Sequence, residues 1–189
     1  MNQGYLAYAE GIKNTLLISL MSVAIGIIIG VLVAGVRVIS SKIRGLHWLG
    51  KLCGIYVTVI RGTPVMVQLL IMYFVIFAST RNQIAVAMLT FGINSGAYVS
   101  EIIRGGIMSI DKGQMEAGRS LGLPYATTMR FVVIPQAVNN ILPALGNELI
   151  TLLKDTSIVP VIGLRDLTTP AHLLPRTPSP AFMPSSGIA

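Results

Sequence analysis

The chain has 189 residues, 53% of them apolar and only 11% charged; a soluble domain carries about a quarter charged residues, so most of the solvating surface of one is missing. Fourteen Lys and Arg against seven Asp and Glu leave a net charge of +7. This pattern excludes a disordered protein, and the lone Cys53 excludes a disulfide scaffold. A nucleic-acid partner would account for the charge but not for the apolar excess; the composition points to a lipid bilayer.

The first uncharged run, Thr15 to Val36, is 22 residues rich in Ile, Leu and Val. As a helix it is about 33 Å long, close to the roughly 30 Å of a hydrocarbon core. It is longer than the apolar stretch of a secretory signal, so it reads as a retained anchor after a short N-terminal segment, residues 1–14. Ser22, Gly26, Gly30 and Ala34 recur along it at four-residue spacing. Residues four apart share a helix face, and small side chains let a second backbone approach closely in lipid. The stripe is a candidate helix-packing surface, within or between subunits, or ordinary glycine content of a membrane helix.

Two further runs follow, Thr63 to Ser79 and Ile84 to Ser100, each of 17 residues. A fourth candidate lies between Ala137 and Leu164; it holds Pro143, Asn139, Asn140, Asn147, Glu148, Lys154 and Asp155. A broken helix facing protein or water fits it better than a lipid-facing rod, because lipid cannot satisfy freed backbone groups. Residues 169–189 contain Pro170, Pro175, Pro178, Pro180 and Pro184 and are expected to be irregular.

Basic residues set the expected orientation. Arg37, Lys42, Arg44, Lys51 and Arg61 fall between the first two runs, and Arg104, Lys112, Arg119 and Arg130 between the third and fourth, whereas Arg81 stands alone between the second and third. Both basic segments are therefore expected in the cytoplasm, with the N-terminus and Arg81 outside. Trp48, beside His47, suits the membrane surface. For most of these charges topology is the whole explanation.

The segment at about 109–135 is the most specific part of the chain. It reads Glu116-Ala117-Gly118-Arg119-Ser120-Leu121-Gly122, then nine residues, then Val132-Val133-Ile134-Pro135. This resembles the EAA loop of importer-type ABC transporter permeases, with Gly118 in place of the usual second Ala. Arg61-Gly62-Thr63-Pro64, Gly96-Ala97-Tyr98, Glu101-Ile102-Ile103-Arg104-Gly105 and Leu153-Lys154-Asp155-Thr156-Ser157 are similar to the polar amino-acid branch of that family, the histidine, glutamine, arginine and opine permeases. The resemblance covers roughly residues 12–168. It implies an all-α integral membrane protein of the type I ABC permease fold, with a transmembrane domain at 15–168. About four transmembrane helices are present, and the fifth of that plan is expected to be missing or degraded. It also implies an ATP-binding cassette subunit, a solute-binding protein and a second permease subunit, homo- or heterodimeric, as partners.

The chemistry of the loop agrees. No Gly-x-x-x-x-Gly-Lys-Ser/Thr run is present to cradle phosphates, so ATP would be handled by another chain, with no cofactor, metal or catalytic site here. A short helix around Met115 to Leu121 can act as a lever, with Glu116 suited to its positive end and able to pair with Arg119. Gly122 supplies a free φ at its end, and Pro135 closes the pattern. A pore moved from about 1:99 to 99:1 needs roughly 5.5 kcal/mol of differential binding, which a loosely held loop would not transmit. Gln68, Asn94, Glu101, Asn139, Asn140, Asn147 and Glu148 are polar groups at membrane depth and so are candidates for a translocation path, although Glu101 and Glu148 equally suit helix ends.

The reading for the whole chain is a multi-pass permease subunit of the bacterial inner membrane. It carries a polar amino acid or a related compound such as an opine by alternating access. The rivals are a truncated remnant, and a non-transporting membrane scaffold or membrane-embedded enzyme.

Overall fold

The computed structural model describes residues 2–40, 44–80 and 82–164. Among them there is no strand. Helix α1, Asn2–Ser40, is 39 residues long, so the helix starts well before the uncharged run, and its part apolar enough to cross a membrane is Ala9–Ser40. Helix α4, Gln83–Met108, is the second long rod. These two are long and apolar enough to cross a membrane. They pack along each other to form the centre of the molecule, with Ile18, Ala87 and Phe91 wholly buried between them.

The stretch between them is not the loop and single span expected from the charges. Helix α2, His47–Gly62, carries Lys51 and Arg61, and helix α3, Val65–Ile71, continues through a π-turn at Met72–Ile76. The two meet at 105°. Pro64 causes the bend: it has no N–H to continue α2, and it holds Thr63 extended, at φ −114° and ψ 140°. Either half is too short to cross alone, and the pair together has the length and composition of one broken span or of a re-entrant loop. Charge-free length misses α2 because Lys51 and Arg61 interrupt it.

Helix α4 runs past Glu101, where the uncharged run ends, because that carboxylate is neutralised within the structure. Helix α5, Lys112–Ser120, and a single turn α6, Tyr125–Thr128, follow. A π-turn at Met129–Val133 leads into α7, Ile134–Asp155, with Pro135 in its first turn. Helix α7 passes through Pro143 without ending and breaks instead after Asp155, where a 3₁₀ segment, Thr156–Ile162, begins. At 22 residues α7 has spanning length, but it is too polar to count with the two apolar rods. Lys42, Arg81 and the proline-rich tail expected to be irregular at 169–189 lie outside the described residues.

Candidate functional site

A cavity of about 350 Å³ opens where the α2–α3 bend faces α4 and α7. Ligand sites begin at about this size. Its chemistry comes from three elements: Arg61 at the end of α2, Asn94 and Tyr98 on α4, and Glu148, Thr151 and Asp155 on α7. Asn94, Tyr98 and Glu148, Thr151, Asp155 face inward because each set repeats at three- to four-residue spacing on its helix. The Arg61 guanidinium carbon sits 5.1 Å from the centre of the Tyr98 ring, a cation–π arrangement, and among the described residues Arg61 makes no ion pair. One guanidinium thus shares the cavity with two carboxylates, and Glu148 and Asn94 are only 9% and 5% exposed. Such a site can hold a small molecule carrying charges of both signs.

Of the seven polar residues expected along a path, the structure brings Asn94 and Glu148 into the cavity. Gln68 stands behind Asn94. Asn139, Asn140 and Asn147 are exposed on α7 outside the lining, with Asn140 donating to Ser109 Oγ at 2.9 Å. Arg61, Tyr98, Thr151 and Asp155 were not singled out for the path. An arginine directly before a Gly-Thr-Pro break, and an aspartate inside a resuming apolar stretch, are the signals that could have found two of them.

Gln68 holds the bend. Its Nε2 donates to the Ile60 carbonyl at 2.8 Å, to the Thr63 carbonyl at 3.1 Å and to Thr63 Oγ1 at 2.6 Å. The Ile60 carbonyl is the acceptor that residue 64 would serve in a continuous helix, and Pro64 cannot serve it. Asn94 Nδ2 in turn donates to Gln68 Oε1 at 3.1 Å, linking the cavity wall to the corner. Tyr56 on α2 donates to the Ile93 carbonyl at 2.5 Å, which holds α2 against α4.

The small-residue stripe of α1 lies against α4 within this one chain. A Cβ added at Gly26 would sit 2.7 Å from Ser95 Cβ, and one at Gly30 would sit 2.6 Å from Val99 Cβ. Gly92 and Gly96 return the fit against Ile25 and Ile29. Ser22 and Ala34 are buried in the same seam, and Ser22 Oγ donates to the Met88 carbonyl at 3.1 Å.

Glu101 does not line the cavity. It forms ion pairs with Arg37 of α1 and with Arg104, whose Nε approaches at 2.8 Å and whose terminal nitrogen lies at 2.7 Å. It closes the far end of the α1–α4 seam.

The loop at 109–135 is built as a capped helix. Asp111 takes the N-cap position, its Oδ1 accepting the Gly113 N–H at 2.6 Å, so α5 starts ahead of the expected Met115 and Glu116 falls in its middle rather than at its positive end. Glu116 and Arg119 are exposed and form no ion pair with each other, in keeping with the small worth of a solvated pair. Gly122 has φ +80°. Its N–H bonds the Arg119 carbonyl at 3.0 Å, and the Leu123 N–H bonds that of Gly118 at 3.1 Å, which is a Schellman ending. Ala117 is exposed, but Gly118 is buried against the wholly buried Thr128 of α6. Leu121, at 82% exposure, projects from the end of α5.

Helices long and apolar enough to cross a membrane, packed beside a cavity lined by charged and polar groups, define an integral membrane protein of the all-α class. Residues 26–179 match the family described as the binding-protein-dependent transport system inner membrane component, and the chain belongs to that family. It is 43% identical over 166 residues to the arginine transport system permease protein ArtQ of Bacillus subtilis, covering 86% of this chain and 74% of that one. It is 42% identical over 163 residues to the glutamine transport system permease protein GlnP of Escherichia coli, covering 84% and 72%. A crystal structure of an amino acid ABC transporter with histidines superposes with a TM-score of 0.81 at 43% identity, covering 89% of this chain and 78% of that one.

Proposed function

We propose that the chain is the permease subunit of an ATP-driven importer for a polar amino acid or a related compound such as an opine, and that solute passes through the cavity between the α2–α3 bend, α4 and α7. The observation that carries this reading is that the Arg61 guanidinium, without an ion pair among the described residues, shares a cavity of about 350 Å³ with the Glu148 and Asp155 carboxylates. A zwitterion needs a cation for its carboxylate and an anion for its ammonium, and a group of each kind within a sheltered pocket binds it far better than water-exposed charges do. The permeases of glutamine and arginine systems among the relatives support the same substrate class.

Transport proceeds by alternating access. A solute-binding protein delivers outside, and a separate ATP-binding cassette subunit presses on α5, where Glu116, Ala117, Gly118, Arg119 and Gly122 form the coupling segment, closed by Pro135. A second permease subunit completes the pathway. The N-terminus lies outside, as the basic residues on the α5 side favour the cytoplasm.

The test is uptake by the complex of this chain, its ATPase and its binding protein in liposomes. Asp155→Asn and Glu148→Gln should each raise the apparent KM for amino acid at least tenfold while ATP hydrolysis persists. Gly122→Asp should uncouple hydrolysis from uptake. Unchanged uptake in all three variants overturns the assignment.

A further inference from the structure

The end of α1 and the first turns of α2 border a second, open pocket, apart from the one above, of about 240 Å³ and lined by Arg37, Ser40, His47, Gly50 and Lys51. Its walls come together because Gly50 has no side chain: Ser40 Cβ lies only 3.0 Å from where a Cβ on residue 50 would stand. The residues His47, Gly50 and Lys51 share one face of α2 by their three- and four-residue spacing. Lys51 and His47 form no ion pair among the described residues, and the charge of Glu101 is already met by Arg37 and Arg104 together. The pocket therefore carries a net positive charge. The first turn of α2 lines it and has no side-chain cap, Leu46 being its N-cap residue, so backbone N–H groups add to the attraction for an anion.

The surroundings are those of a bilayer surface. Trp48, next to His47, is 61% exposed, and Leu52 and Ile55 on the same helix are 54% and 60% exposed. Indole rings favour the headgroup level, and an exposed aliphatic row one turn away meets acyl chains. A basic pocket between membrane helices, edged by an indole and continued by an apolar face, matches a phosphodiester with its hydrocarbon tails. We propose that this pocket binds the headgroup of an anionic phospholipid, with Lys51, His47 and the α2 backbone taking the phosphate and the chains lying along Leu52 and Ile55. Occupied, it would tie the end of α1 to α2 through the lipid.

The test uses the full chain in its assembled complex, purified in detergent. Native mass spectrometry counts the phosphatidylglycerol retained after titration against phosphatidylcholine, and thermal unfolding is followed in parallel. Wild type should retain phosphatidylglycerol selectively and be stabilised by it. Lys51→Gln should weaken retention about fivefold, the loss expected for one basic contact at a membrane surface, and Lys51→Arg should keep most of it. Lys13→Gln, the same charge change on α1 far along the sequence, should have no effect. Equal loss in Lys13→Gln and Lys51→Gln would reduce the pocket to diffuse charge and overturn the proposal. So would equal retention of phosphatidylcholine, or full displacement of the lipid by millimolar inorganic phosphate, which would make it a site for the free anion.

Discussion

Asn94 of α4 donates to Gln68 of α3 at 3.1 Å, and Gln68 in the same geometry donates to the Ile60 carbonyl that Pro64 leaves without a partner. A cavity residue is thus two hydrogen bonds from the corner where the second span turns. Whatever changes the hydrogen bonding of Asn94 acts on that corner.

Replacing Gln68 by Leu keeps the volume and removes the donors. It should destabilise the complex by about 1–3 kcal/mol, the usual consequence of leaving acceptors unpaired in a low-dielectric site. Pro64→Ala supplies a backbone N–H to the Ile60 carbonyl, so the double variant should lose less than the sum of the two single losses. Thermal unfolding of all three variants checks this; strict additivity would mean that the glutamine does not serve that carbonyl.

The α1–α4 seam predicts a contrast along one helix. Gly26→Leu and Gly30→Leu force side chains into Ser95 and Val99, where a Cβ alone would lie within 2.7 Å and 2.6 Å of the facing Cβ atoms. Each should cost 1–3 kcal/mol or somewhat more and cut the yield of folded protein in membranes. Gly35→Leu has open space at its Cβ and should be tolerated. Quantitative immunoblots of membrane fractions separate the outcomes.

Gly118 is the position where this chain departs from the EAA pattern, and Thr128 faces it. A Cβ there would stand 2.8 Å from Thr128 Oγ1 and 3.2 Å from its Cβ, and a β-branched side chain has few alternative rotamers. Gly118→Ala should therefore shift α5 against α6 at a cost of about 1 kcal/mol and weaken substrate-stimulated ATPase activity of the complex. Thr128→Ala should restore it in the double variant.

Glu101→Gln leaves Arg37 and Arg104 facing one another across the end of the seam. A loss of about 1–3 kcal/mol is expected, as for any charge deprived of a partner in a partly buried site. Combining it with Arg37→Met should recover part of the loss, and a thermal double-mutant cycle measures the coupling.

The two long rods were readable because their signal is collective: Thr15 to Val36 and Ile84 to Ser100 are uncharged over many residues. What was not readable is whatever turns on one charge being answered elsewhere. Helix α4 passes Glu101 because Arg37, 64 positions away, meets it; α2 escaped notice because Lys51 and Arg61 break the apolar run although the helix does not end there. The end of the loop helix at Gly122 is legible from local chemistry, since only a positive φ has to be supplied, whereas its start, expected around Met115, falls at Lys112 because the capping Asp111 lies outside the EAA pattern. The cavity was half legible: Asn94 and Glu148 stand out as polar residues in apolar surroundings, but Arg61 enters only once the bend at Pro64 carries the end of α2 inward.

Each glycine shared between α1 and α4 leaves a gap that a side chain of the other helix fills, Ser95 and Val99 on one side and Ile25 and Ile29 on the other, and a seam interlocked in this way cannot slide without colliding. The pair behaves as a mast. The proposed cycle would then place motion in the parts hung upon it: the elbow at Pro64 on one side, and on the other the stem of α7, joined through its π-turn to α6 and α5. In the cycle proposed above the arms would swing about a fixed post, and mutations that loosen the post should blur both end states alike rather than favour either one.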